Sequence, residues 1–160
     1  MKVKMNKIDP SVSSIMDGKH RLPVRVYYED TDSGGVVYYA NYLKYAERAR
    51  TEMLRGLGFA HADIMRERGT VFVVRHCEID YQHSAWLDEE LEIRTAIEAI
   101  GGASLTLKQW VYRGGEELVA MKIKLVCMKL EGKGTTRIPD DIRQALDGYI
   151  LRVGEVEHGK

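Results

Sequence analysis

The chain has 160 residues, and its 24 basic and 24 acidic side chains give a formal net charge of zero. That excludes the strongly basic footprint of a general nucleic-acid binder. Hydrophobic residues at 44% and charged residues at 30% are ordinary for a soluble globular protein, and a domain of this length buries roughly two-thirds of its unfolded surface. No apolar run approaches the ~20 residues that span a bilayer, and the first residues carry no secretory pattern, so the expectation is a cytoplasmic protein without an integral membrane segment. The two cysteines, Cys77 and Cys127, lack metal-ligand or redox-motif spacing. Both fall in apolar runs and are expected to be reduced core thiols.

Residues 1–21 are polar and weakly patterned and read as a flexible N-terminal extension. "LPVRVYYE" (22–29) has the β-branched and aromatic content of a strand, with Pro23 near its start. From Asn41 the period changes. Tyr42, Tyr45, Ala46, Ala49, Met53 and Leu57 recur at helical spacing, Lys44, Glu47, Arg48 and Arg55 lie mostly off that stripe, and Gly56 and Gly58 mark the end. A short helix is expected around His61 to Arg68. After Gly69 the period is two: strands are expected over 71–82, 91–100, 103–113 and 118–130, with turns at Gly101-Gly102 and Gly114-Gly115. In the second of these, Leu91, Ile93, Thr95, Ile97 and Ala99 share one face and Glu90, Glu92, Arg94 and Glu98 the other. A closing helix from about Pro139 to Gly148 completes a domain over 22–150, followed by a tail, 151–160.

The outline is α+β: one long helix whose apolar stripe must bury against an antiparallel sheet. A single sheet with one such helix leaves sheet edges and a second face exposed, so a homo-oligomer is expected.

The unusual segment is "EDTDSGGVVYYANYLKYAERART" (29–51), which sets two carboxylates, a glycine pair and a helix start close together. Turn chemistry alone accounts for part of this set. Metal readings fail on detail. A calcium loop starting at Asp30 would place Asn41 where a bidentate glutamate is required. No zinc-protease, paired-cysteine or phosphate-loop pattern occurs, and "GKGTT" (132–136) is only half of the last.

A chemical reading accounts for more of the residues. The first N–H groups of a helix lack internal partners and carry the positive end of its dipole. Near Tyr39 they can receive the charge that develops on a carbonyl oxygen. Asp32, presented by a turn flexed at Gly34 and Gly35, can deprotonate water or attack directly. The two glycines also let the backbone approach a substrate without a Cβ in the way. This combination suits acyl-ester or thioester cleavage. A thiolate is already a stable leaving group, with a free-thiol pKa of about 8.5.

The run "VRVYYEDTDSGGVVYYANYLKYAERARTEMLR" (24–55) resembles the hotdog-fold acyl-CoA thioesterases of the 4-hydroxybenzoyl-CoA thioesterase type. It is most similar to the bacterial branch associated with the Tol-Pal cell-envelope system. "FVVR" (72–75) and "LDEELEIRT" (87–95) agree with the same family, and the resemblance spans roughly residues 22–147. It implies a five-stranded antiparallel sheet wrapped around one long central helix, and dimers or tetramers with the active site at a subunit interface. It also implies an acyl-CoA substrate and no metal or other cofactor.

Within this resemblance the second aspartate, Asp32, is the catalytic carboxylate, and the helix-start amide falls on Tyr39. Gly34, Gly35, Val36, Tyr38 and Asn41 form the expected substrate-binding set. Two positions depart from the Tol-Pal branch. Tyr39 stands where that branch usually has histidine, so a backbone role carries over and an imidazole role does not. Ser84 replaces a usual proline.

Asp30 reads as a structural partner that fixes the loop through backbone amides. Glu47 is the runner-up carboxylate, because other hotdog thioesterases act from a helix glutamate. Its simpler role is an exposed residue paired with Lys44 or Arg50. Tyr38, Tyr42 and Tyr45 suit packing, and His76 and His83 surface or interface positions. Lys122, Lys124, Lys129, Lys133 and Arg137 have the charge to meet the phosphates of coenzyme A. Two other functions fit the same residues: hydrolysis of acyl-carrier-protein thioesters, or a catalytically weak acyl-binding or docking role in lipid synthesis. A hotdog hydratase fits less well, since it would use a histidine-centred pair that the motif lacks.

Overall fold

The computed structural model describes residues 14–132 and 134–150. Most of the N-terminal extension, the tail and Lys133 lie outside the described residues. A six-stranded sheet runs in the order β1-β2-β4-β5-β6-β3, with every neighbouring pair antiparallel. Five of its strands form the body: β2 (Lys19–Arg25), β3 (Thr70–Tyr81), β4 (Glu90–Ile100), β5 (Ser104–Arg113) and β6 (Glu116–Lys129). The short β1 (Ser14–Met16) adds an edge to β2 through a turn at Asp17 and Gly18, both at positive φ. Helix α1 (Asn41–Gly56) lies against β2 and β4, α2 (His61–Arg68) against β3, and α3 (Asp140–Leu146) follows the last strand.

Periodicity explains the packing. Tyr42, Tyr45, Ala46, Ala49 and Met53 are buried on α1, while Lys44, Glu47, Arg48 and Arg55 are exposed. Leu22 and Val24 on β2, Leu91, Ile93 and Ile97 on β4, and Leu105, Leu107 and Val111 on β5 meet them in one core. Each fully buried side chain of this size stabilises the fold by roughly 1.5–3 kcal/mol.

At the centre is a polar bolt. Gln109, wholly buried on β5, donates through Nε2 to the Ala46 carbonyl of α1 and to Thr95 Oγ1, both at 2.9 Å. Its Oε1 accepts from Arg50 Nη1, also at 2.9 Å. A buried amide with both ends satisfied fixes the helix on the sheet in one register.

The sequence expectations hold for the elements after residue 22 and shift at several ends. Residues 14–16 and 19–21, read as part of a flexible extension, instead form β1 and the start of β2, because their backbones pair with each other and with β4. The strand expected over 22–29 runs Lys19–Arg25 instead, because the Val26 amide turns to the Glu89 carbonyl and Tyr28–Asp30 coil into a 3-10 turn. Ala99 was expected to face the core but is exposed. The β4–β5 register slips between Ile97 and Ala99, and one extra residue reverses the alternation beyond it. Cys127 is buried as expected, whereas Cys77, also a free thiol, is only half-buried on β3. The closing helix ends at Leu146 and tightens into a 3-10 turn over Asp147–Tyr149.

One buried group makes the fold sensitive to acid. His20 on β2 is 2% exposed, and neither ring nitrogen has a partner among the described residues. Burial pushes its pKa down to about 4, against a weaker upward pull from the Glu52 carboxylate. Below the ordinary histidine value of 6.5, the unfolded chain takes up a proton that the folded chain refuses. Stability is therefore fully present above that value and falls as the pH drops toward 4, by at most about 3 kcal/mol. Urea unfolding at pH 7 and pH 4.5 should show a larger loss for the wild type than for His20→Leu. Equal losses would assign the acid limb to other groups.

Candidate active site

The segment between β2 and α1 is built around main-chain hydrogen bonds. The Asp30 carboxylate accepts the Tyr27 N–H at 2.8 Å, closing the 3-10 turn. This is the loop-fixing role expected of it. The Asp30 carbonyl then accepts twice, from the Tyr38 N–H at 2.9 Å and from Asn41 Nδ2 at 2.7 Å. Between these points the chain makes a miniature hairpin: Thr31 bridges Val37, and the Asp32 N–H donates to the Val36 carbonyl at 2.9 Å.

Asp32 opens the tip of this hairpin. Its Oδ1 accepts the Gly34 N–H at 2.8 Å, and its carbonyl accepts the Gly35 N–H. The two glycines serve different ends. A Cβ on Gly34 would come within 3.3 Å of Asp32 Oδ1, and Gly35 sits at φ +82°, where other residues are strained. The carboxylate is exposed, and its Oδ2 has no protein partner among the described residues. One oxygen is held in place and the other is left free to act.

The other half of the arrangement is the start of α1. The Asn41 N–H is taken by the Tyr38 carbonyl at 2.8 Å. Among the described residues, nothing accepts from the N–H groups of Tyr39 and Ala40. These are the free donors expected at the positive end of a helix. Tyr42 and Tyr45 pack edge to face beneath them with ring centroids 6.2 Å apart, and Tyr42 Oη accepts the Ala85 N–H. Burial, followed by the Asp30 carboxylate, pushes the Tyr45 phenol upward, so it stays neutral.

The structure sorts the expected site residues into two groups. Asp32, Gly34, Tyr38 and Tyr39 are exposed along this one segment, and Gly35 and Val36 are half-buried between them, with Val36 bridged to Trp86. Asn41 differs: it is buried, and its side-chain amide is spent on the Asp30 carbonyl. Glu47 is exposed on α1 as expected but pairs with neither Lys44 nor Arg50, whose guanidinium turns inward to Gln109. It lines a separate cavity of about 610 Å³ with Arg50, His61 and the apolar Leu54, Leu107 and Leu125. His76 faces Glu78 and His83 is exposed, as surface residues would be. Of the expected phosphate-binding cations, Lys122 pairs with Glu98 and Arg137 with Asp140.

Sequence reasoning missed Tyr81, Trp86 and Leu87, which the hairpins bring beside the motif. Val36 bridges Trp86, and the Leu87 N–H donates to the Gly35 carbonyl. Tyr81 is an exposed aromatic at a strand end, and no local pattern in β3 marks it for a role.

The segment between β2 and α1 thus carries an exposed carboxylate, a glycine turn and two N–H groups unaccepted among the described residues, on an antiparallel sheet with helices packed against it. Comparison with known proteins places the chain among hydrolases of the thioesterase type. The model of the thioesterase-like superfamily matches residues 26–146, and the chain belongs to that superfamily. It is 39% identical over 131 residues to the acyl-CoA thioesterase YbgC of Haemophilus influenzae, covering 82% of this chain and 96% of that protein. Identity to the acyl-CoA thioester hydrolase YbgC of Escherichia coli O6:H1 is 47% over 109 residues, 68% of this chain and 81% of that one. The structure of a probable thioesterase from Bartonella henselae superposes with a TM-score of 0.71 at 38% identity, covering 76% and 99% of the two chains.

Replacing the buried Asn41 amide tests the architecture of the loop. Asn41→Ala leaves the Asp30 carbonyl with one partner and should cost about 0.5–1.5 kcal/mol. Thermal unfolding should report a midpoint lower by several degrees. An unchanged midpoint would show that the clamp contributes little.

Proposed function

We propose that the chain is an acyl-CoA thioesterase in which Asp32 is the catalytic carboxylate and the backbone N–H of Tyr39 binds the oxyanion. The observation that carries this reading is that one clamped loop holds both a tethered carboxylate, with a free Oδ2, and the unaccepted N–H of Tyr39. The thioester carbonyl oxygen accepts from the amide, which polarises the carbon. Asp32 takes a proton from water as the water oxygen bonds to that carbon, or attacks it directly to form an acyl anhydride that water then opens. The tetrahedral species collapses, the carbon–sulfur bond breaks, and the thiolate of coenzyme A leaves and is protonated. An acyl group on a carrier protein presents the same carbonyl and would meet the same groups. Gly34, Gly35, Val36 and Tyr38 form the floor on which the thioester lies. Asn41 belongs to the set through the loop it holds.

The hotdog arrangement, with the sheet curved about α1 as its central helix, is part of this proposal. The buried stripe of α1 and its bond to Gln109 support it. Two free thiols suit a reducing compartment such as the cytoplasm. No helix among the described residues is long and apolar enough to cross a membrane.

Thiol release from a panel of acyl-CoAs tests the assignment. Asp32→Asn keeps an oxygen for the Gly34 N–H but loses the base, so kcat should fall by roughly 10²–10⁴. Near-normal turnover in the variant would remove Asp32 from the chemistry.

The quaternary expectation has a physical basis in β3. This strand of 12 residues forms one edge of the sheet, with Val73 and Val74 exposed at 42% and 47%. A long edge with unpaired main-chain groups is a template for another strand, and Val73 and Val74 add apolar surface to it. We propose that two copies join there as a homodimer, two of which can associate as a tetramer. Val73→Lys combined with Val74→Lys should shift the sedimentation coefficient to that of a monomer. A wild type that is already monomeric at micromolar concentration would overturn this.

A further inference from the structure

Tyr81 lies outside the segment that carries the proposed chemistry, yet it holds that segment from the sheet side. It is the last residue of β3 and pairs with Val119 on β6. The next two amides, of Gln82 and His83, both donate to the Leu118 carbonyl, so the backbone at this point is anchored. From that anchor the Tyr81 hydroxyl donates to the Tyr39 carbonyl at 3.2 Å. Its ring stands perpendicular to that of Tyr39, with centroids 6.1 Å apart, and against that of Tyr42 at 5.8 Å.

The Tyr39 carbonyl shares a planar peptide unit with the N–H of Ala40. A hydrogen bond accepted at the oxygen fixes that plane and polarises the N–H at its other end. Among the described residues, the Ala40 N–H has no acceptor, and neither does the Tyr39 N–H before it. Two adjacent donors at a helix start are therefore uncommitted. The peptide unit of the first is held through its Tyr38 carbonyl by the Asn41 N–H, and that of the second by Tyr81.

We propose that Tyr81 is a positioning residue for thioester cleavage, holding the Tyr39–Ala40 peptide so that the Ala40 N–H joins the Tyr39 N–H as a second donor to the developing oxyanion. The proposal rests on the thioesterase reading above and adds a role that the motif itself does not contain. An oxyanion offers more than one lone pair, and a second preorganised donor lowers the barrier only if its plane is held before the charge appears. Burial, then the neighbouring Cys77 and tyrosines, raises the pKa of the Tyr81 phenol, so the hydroxyl remains a donor at neutral pH.

Tyr81→Phe keeps the ring and its contacts and removes only the hydroxyl. Thiol release from acyl-CoAs, the thermal midpoint and the carbonyl ¹³C resonance of Tyr39 are measured for this variant and the wild type. The expected result is a shifted Tyr39 carbonyl and a kcat lower by about two- to tenfold, the worth of one hydrogen bond, with KM and the thermal midpoint held. An unmoved carbonyl resonance would overturn the proposal, whatever the rates. So would a moved resonance with unchanged kcat, or a rate loss that follows a lowered midpoint. These outcomes leave the thioesterase reading standing as long as the wild type turns over. A wild type that cleaves no thioester would bring down that reading and this proposal together.

Discussion

One main-chain oxygen sets the geometry of the candidate site. The Asp30 carbonyl accepts from the Tyr38 N–H and from the Asn41 side chain, the first just before α1 and the second its first residue. These two bonds tie the root of the carboxylate hairpin to the start of the helix. Asp32 is two residues beyond that root, and its position follows from the Asp32–Val36 and Thr31–Val37 contacts that close the hairpin. A buried amide such as Asn41 is costly to leave unmet, so the same bond that satisfies it also selects a single loop conformation. A residue expected to touch substrate thereby serves the site from beneath.

The helix must itself be fixed for its free amides to mean anything. Gln109 does this by reaching across from β5 to the Ala46 carbonyl, in the second turn of α1. Apolar packing alone would tolerate small slides of the helix along the sheet, because dispersion is not directional. A hydrogen bond to one particular carbonyl does not tolerate them. The arrangement thus passes from sheet to Gln109, to α1, to the amides of Tyr39 and Ala40.

How much of this was legible in the sequence follows the range of each interaction. The strands after Gly69 and the stripe of α1 are written in local alternation and helical spacing, and they were readable. The 3-10 turn at Tyr28–Asp30 was not, since an aromatic, β-branched run reads as a strand until Asp30 captures the Tyr27 amide. The bulge that exposes Ala99 likewise depends on pairing with β5, which no window of β4 contains. The candidate residues of 29–41 could be named from the sequence because they lie in one continuous segment. Tyr81, Trp86, Gln109 and Arg50 were not, because their roles exist only after the sheet has brought distant strands beside the loop. Glu47 shows the opposite error: helical spacing offered it a partner three residues on, and a stronger tertiary bond to Gln109 took that partner away.

Two features of the isolated chain share a physical cause. The Asp32 carboxylate is exposed, Tyr28 and Tyr39 are exposed at 82% and 60%, and among the described residues the outer edge of β3 pairs with no strand. Large apolar groups and unpaired strand edges are both unfavourable in water, so a surface carrying both is poised to be covered. Tyr81 ends β3 and also touches Tyr39, so the end of that edge strand meets the start of α1. A second copy added to that edge would therefore approach the amides of α1 as well. Excluding water from a hydrogen bond to a developing negative charge strengthens it several-fold. If two copies pair at β3 as proposed, that pairing would supply dry surroundings for the free amides of the proposed site.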